Sequence, residues 1–124
     1  MPDADAVYSG TLIAESLRAG TELHGIPLAV TKVCRVRVDN EPELWTLIYF
    51  DVAAARAADL AEALSRVLAQ TGGWYCDFRS DEEVFVVFSD RVFRYRRGDR
   101  AARSTVEDYA RAMGVPEAQL DWPG

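Results

Sequence analysis

The chain has 124 residues, a net charge of −6 and 49% hydrophobic residues, enough apolar chain to close one core, with little room for a second domain. That composition excludes a disordered polyion, and no uninterrupted apolar stretch approaches the roughly 20 residues of a membrane span. An acidic balance also repels a polyanion at long range, so nucleic acid is not an expected partner unless positive charge is gathered locally.

Residues 1–124 therefore read as a single globular domain. The start, Met-Pro-Asp-Ala-Asp, has neither the positive region nor the apolar region of a secretory signal, so export is not expected. Cys34 and Cys76 lie far apart, there is no Cys-x-x-Cys, and His24 is the one histidine. No metal or cofactor is expected from such a set, and a reducing cytoplasm suits two unpaired thiols. Thirteen arginines accompany the single Lys32, together with many alanines, a bias that GC-rich codons produce in some bacteria.

Along the chain, Gly10 to Leu17 alternates loosely and ends in Arg18-Ala19-Gly20-Thr21, a strand running into a turn. From Ile26 to Val38 the even positions carry Ile26, Leu28, Val30, Cys34, Val36 and Val38, a period of two that only Lys32 interrupts. Asp39-Asn40-Glu41-Pro42 reads as a turn. Leu44 to Phe50 is apolar on both parities, which predicts a strand inside the sheet, covered at least in part on both faces.

The period then changes. Ala53, Ala57, Leu60, Leu64, Val67 and Leu68 fall on one helical stripe, with Asp51 as the expected N-cap and Gly72-Gly73 as the stop. Three short strands follow, near Trp74–Arg79, Glu83–Phe88 and Arg91–Arg96, as a meander. A second helix carries Val106, Tyr109, Ala110 and Met113, begun by either the capping box Ser104-Thr105-Val106-Glu107 or Asp99 and ended by Gly114. Val115 to Leu120 adds one more turn with Pro116 at its start. The order β-β-β-α-β-β-β-α predicts an α+β domain, an antiparallel sheet of about six strands with two main helices on one face.

Strand parity bears on where a binding surface lies. A three-residue Ser80-Asp81-Glu82 loop sets Phe78 opposite Val84 and Cys76 opposite Val86; a two-residue Ser89-Asp90 loop sets Val86 opposite Phe93 and Val84 opposite Tyr95. With that register Trp74, Cys76, Phe78, Val84, Val86, Phe88, Phe93 and Tyr95 form the core face. Tyr75, Asp77, Arg79, Glu83, Phe85, Val87, Val92, Arg94 and Arg96 form the other, with an apolar centre and a charged rim.

Two readings of that second face compete. An apolar centre inside a polar rim is how interfaces are built, so Tyr75, Asp77, Phe85, Val87, Val92, Arg94 and Arg96 are candidate binding residues for a protein partner or a second copy. The alternative is that the chain's own ends, Leu120 and Trp122 among them, or the N-terminal segment cover it. A further reading gathers Tyr75, Asp77 and Arg94 into a small-ligand or catalytic pocket, and another assigns phosphate or nucleic-acid binding to the run Arg91, Arg94, Arg96, Arg97, Arg100 and Arg103.

No residue stands out as catalytic. His24 sits in a turn with Glu22 merely near it in sequence, and both cysteines fall on apolar strand positions, where burial makes a thiol inert. Phosphate-loop, dinucleotide, zinc-protease and serine-hydrolase motifs are absent from the sequence.

Gly73-Trp74-Tyr75-Cys76-Asp77-Phe78, Glu83 to Phe88, Arg91 to Tyr95 and Gly114 to Trp122 together resemble a group of small uncharacterised bacterial proteins. The likeness extends weakly to Tyr8–Ala14, and Cys76 stands where that group has a small residue. The resemblance implies a stand-alone bacterial domain and carries no activity, cofactor or catalytic residue with it.

Overall fold

In the computed structural model, residues 7–18, 27–37 and 44–122 are described. Six strands, β1 (Val7–Ile13), β2 (Ala29–Arg37), β3 (Leu44–Ala53), β4 (Cys76–Arg79), β5 (Glu83–Phe88) and β6 (Arg91–Arg96), form one antiparallel sheet in the order β2-β3-β1-β4-β5-β6. Helix α1 (Ala57–Val67) follows β3 and α2 (Arg100–Ala112) follows β6. This is the expected α+β order, with β3 inside the sheet as its double apolar parity required. The Asp39–Pro42 turn and His24 lie outside the described residues.

The helices do not share a face. Leu60 and Leu64 of α1 are buried with Tyr8, Leu12, Phe50, Val52, Cys76, Phe78, Phe85 and Val87. Val106 and Ala110 of α2 are buried with Val84, Val86, Phe88, Tyr95, Leu120 and Trp122. Since neighbouring strand residues point to opposite faces, β5 is covered by α1 through its odd positions and by α2 through its even ones. The expectation of two helices on one face is therefore corrected.

Its cause is one residue of register. The β4–β5 ladder pairs Arg79 with Val84, Phe78 with Phe85 and Cys76 with Val87, so only Asp81 and Glu82 lie beyond the turn's closing pair. The Ser80 amide donates to the Glu83 carbonyl at 3.0 Å, and the Ser80 hydroxyl accepts from the amides of Glu82 and Glu83, each at 3.2 Å. This tight turn shifts β4 by one position from the three-residue loop and carries each of its side chains to the other face. The β5–β6 register is as expected, with Val86 opposite Phe93 and Val84 opposite Tyr95.

Three local details also differ. A bulge between Val30 and Lys32 turns Val30 toward the α1 face and Lys32, Cys34 and Val36 toward the other, which is why Lys32 breaks the apolar alternation. Asp51 belongs to β3 and accepts from the Ser9 hydroxyl at 2.6 Å, so α1 begins instead from a 3-10 turn at Ala54–Arg56. Asp99, not the Ser104 box, caps α2 by accepting from the Ala102 amide at 3.0 Å.

Gly10 fixes how closely β1 and β4 approach. A Cβ there would lie 2.4 Å from the Asp77 carbonyl oxygen and 2.6 Å from the Phe78 Cβ, so only glycine lets the two strands meet at this point.

Candidate functional site

α2 and the C-terminal turn cover only the β5–β6 half of their face. On the other half a row of paired residues runs from Lys32 through Tyr49 and Thr11 to Asp77, with Cys34, Leu47 and Ile13 in the next row and Val36 and Trp45 beyond. Of these, Thr11, Ile13, Trp45, Leu47, Tyr49 and Asp77 floor a cleft of about 410 Å³. Its walls are Gly73, Trp74 and Tyr75 on one side, Gln119 and Asp121 of the C-terminal turn on another, and Val36 and Arg37 at the end of β2. The second apolar parity of β3 is thus the cleft floor, whereas Ile48, Phe50 and Val52 face the core.

The apolar part of the lining is aromatic. Trp45 and Trp74 meet edge to face with centroids 5.3 Å apart, a preferred geometry for two π systems. Tyr49 lies beneath the Lys32 ammonium, which sits 5.4 Å from the ring centroid. Tyr75 meets Trp122 edge to face at 5.3 Å and gives its hydroxyl proton to the Gln119 carbonyl, which places the Asp121 Oδ1 3.5 Å from that hydroxyl. Burial, with Asp77 and Asp121 nearby, pushes the Tyr75 phenol well above its usual range.

Asp77 is the unusual group of the lining. Burial raises its carboxyl from 3.8 to about 6, the Asp121 charge adds to the rise, and Arg79 and Arg103 oppose it. Its own backbone amide assists it, but among the described residues no other side chain donates a hydrogen bond to it. Arg103 is held elsewhere, by the Trp122 carbonyl at 2.6 Å, the Leu120 carbonyl at 3.3 Å and Glu107 at 3.6 Å. A carboxylate without a close partner on a half-apolar wall is costly to ionise.

Of the residues singled out from sequence, Tyr75 and Asp77 line this cleft. Phe85, Val87, Val92, Arg94 and Arg96 belong to the opposite face because β4 and β5 are shifted by one residue. Phe85 and Val87 are buried under α1 and Tyr8, at 2% and 0% exposure, so they present no contact surface. Arg94 grips Glu83 through Nε at 2.7 Å and Nη2 at 2.9 Å, lies over the Phe85 ring, and cannot reach Asp77 through the sheet. Leu120 and Trp122 do cover a face of the sheet, the one opposite Phe85.

The arginine run does not form one patch. Arg91 stacks over Phe93 and Tyr109, Arg94 and Arg103 are ion-paired, and Arg97 donates to the Ser80 carbonyl at 3.2 Å. Arg97, Arg100 and Arg103 line a shallow concavity at the start of α2, but the capping Asp99 carboxylate sits among them. The Cys76 thiol is buried and burial raises its pKa, the setting of an inert thiol.

Sequence reading missed Trp45, Leu47, Ile13, Thr11 and Asp121 as lining. The usable signal was the second apolar parity of Leu44–Phe50. Among the described residues no group of three or more His, Cys, Asp or Glu is placed to hold a metal, and no helix is long and apolar enough to cross a membrane. No family model, curated protein or solved structure matches the chain.

Proposed function

We propose that the chain is a non-catalytic binding domain of the bacterial cytoplasm whose ligand site is the cleft between β3, β1 and the C-terminal turn. The observation that carries this reading is the convergence of Tyr75, Asp77 and Asp121 on a cleft of about 410 Å³ walled by Trp45 and Trp74. A concave, mostly apolar site with a few polar groups is the form small-ligand sites take. The face around Phe85 does not serve, because α1 occupies it. The free thiols of Cys34 and Cys76 support a reducing compartment.

The raised Asp77 carboxyl favours a second reading, acid–base catalysis on a bound ligand, since a carboxyl near 6 can both take and give a proton close to neutrality. Ligand-observed NMR with a fragment mixture separates binding from its absence. Fragments should bind the wild-type chain and be lost with Leu47→Arg, which fills the cleft from its floor, while the thermal melt shows that variant folded. Equal binding to both chains would place the site elsewhere. Turnover of any bound fragment that Asp77→Asn abolishes would favour the catalytic reading.

A further inference from the structure

We propose that the cleft takes an organic cation: an ammonium group held by Asp77 and Asp121, on an apolar body that lies against Trp45 and Trp74. The inference rests on the cleft being a ligand site and adds the ligand's chemistry.

Charge and surface argue for it together. Two carboxylates line the β4 and C-terminal side of the cleft, and neither receives a guanidinium or ammonium hydrogen bond among the described residues. The same lining carries the indole rings of Trp45 and Trp74 and the phenol rings of Tyr49 and Tyr75, whose faces carry negative potential and attract cations. This surface already holds one cation, since the Lys32 ammonium lies over Tyr49 in the same row of the sheet as Asp77. Arg37 also lines the cleft, at its β2 end. An anion seated near Tyr75 would meet two carboxylates there, whereas an ammonium would supply the cationic donor that Asp77 lacks among the described residues.

The same arrangement makes binding depend on pH. The groups facing Asp77 are Asp121, Arg79, Arg103 and Tyr75, and burial outweighs the two arginines to hold its carboxyl near 6. A primary ammonium keeps its charge far above neutrality, so between pH 7.5 and 5 the titrating partner is Asp77, and binding should weaken as it takes up a proton.

The test is calorimetric titration of the full chain with 2-phenylethylammonium, 3-phenylpropionate and the neutral 3-phenylpropanamide, with the three indole N–H signals followed by NMR. The ammonium probe should bind at least about tenfold more tightly than the other two. It should shift the Trp45 and Trp74 signals but not that of buried Trp122, and lose about tenfold in affinity in Asp77→Asn at pH 7.5. Arg94→Gln, on the other face, should leave binding unchanged. If all three probes shift Trp45 and Trp74 with equal affinity, or the propionate wins, the cation assignment fails while the cleft stands as a ligand site. If none shifts them, both readings fall. Asn is isosteric with Asp and removes a disfavoured charge, so a folded Asp77→Asn chain with undiminished ammonium affinity would also overturn the assignment.

Discussion

Trp45 and Trp74 meet edge to face in the lining of the cleft, their centroids 5.3 Å apart, although 29 positions of chain and the whole of α1 separate them. One ring stands on β3 and the other directly before β4, so the contact ties the open half of the sheet to the wall that carries Tyr75 and Asp77. Both rings are only partly buried. Trp74→Ala should therefore cost about 1–2 kcal/mol in a urea unfolding experiment, less than a fully buried tryptophan would, and should weaken fragment binding more than it weakens the fold.

Asp77 destabilises the protein near neutrality. Its folded pKa of about 6 lies above the ordinary 3.8, so between those values the folded chain holds a proton that the unfolded chain has released. Stability from this group is therefore greatest at low pH and falls as the pH rises through 6. Asp77→Asn cannot titrate and should raise stability at pH 7.5 by on the order of 2 kcal/mol, with the gain vanishing toward pH 4. Thermal melts of both chains across that range check the sign: an equal shift at every pH would assign the effect to packing instead.

Phe85→Glu distinguishes a buried face from an interface. With the ring at 2% exposure between Phe78 and Tyr8, a carboxylate there has no water, and Arg94, which lies over the ring, is already engaged by Glu83. Unfolding should become easier by more than about 3 kcal/mol. Sedimentation of whatever remains folded should show the assembly state of the wild type. A stable variant with altered assembly would mean that α1 does not cover this face.

The C-terminal turn is held by a buried polar pair. The Trp122 indole donates to the Tyr95 hydroxyl at 2.8 Å, and Arg103 lies 4.8 Å from the centre of the same tryptophan. Tyr95→Phe leaves the indole N–H without its acceptor and should cost about 1–3 kcal/mol. Because Gln119 and Asp121 ride on this turn, fragment affinity should fall as well. Chemical denaturation and the same NMR screen read the two effects separately.

Gly10→Ala should destabilise by more than the ordinary cost of a strand substitution, about 2 kcal/mol or above, because the new methyl meets backbone atoms of β4 that cannot rotate away. Ser9→Ala, one position along and exposed, should cost less than about 1 kcal/mol through its lost bond to Asp51. Denaturant midpoints for the two variants make the comparison.

Element order was legible in the sequence because hydrophobic period and turn residues are local signals. The faces were not, because they depend on whether the β4–β5 turn closes at Arg79 or at Ser80, and the Ser80 hydroxyl that settles it is one side chain in a run of polar residues. Val84 to Phe88 is apolar at every position, which is the mark of a strand buried on both sides. The same mark on Leu44–Phe50 has a different outcome: one parity is buried in the core and the other floors the cleft. What separates the two cases is where the C-terminal turn stops, a tertiary fact that no local pattern contains. Tyr75, Asp77 and Arg94 were brought together by one register; the turn overrides it, so Tyr75 and Asp77 line the cleft while Arg94 lies on the other face.

The most direct measurement of the central claim is a crystal structure of the full chain soaked with the fragment mixture. Density should appear between Trp45, Trp74 and Asp77, with a polar group of the fragment within hydrogen-bond distance of the Asp77 or Asp121 carboxylate. Fragments bound only elsewhere, or a C-terminal turn that has closed over Thr11 and Leu47 to fill the space, would contradict it.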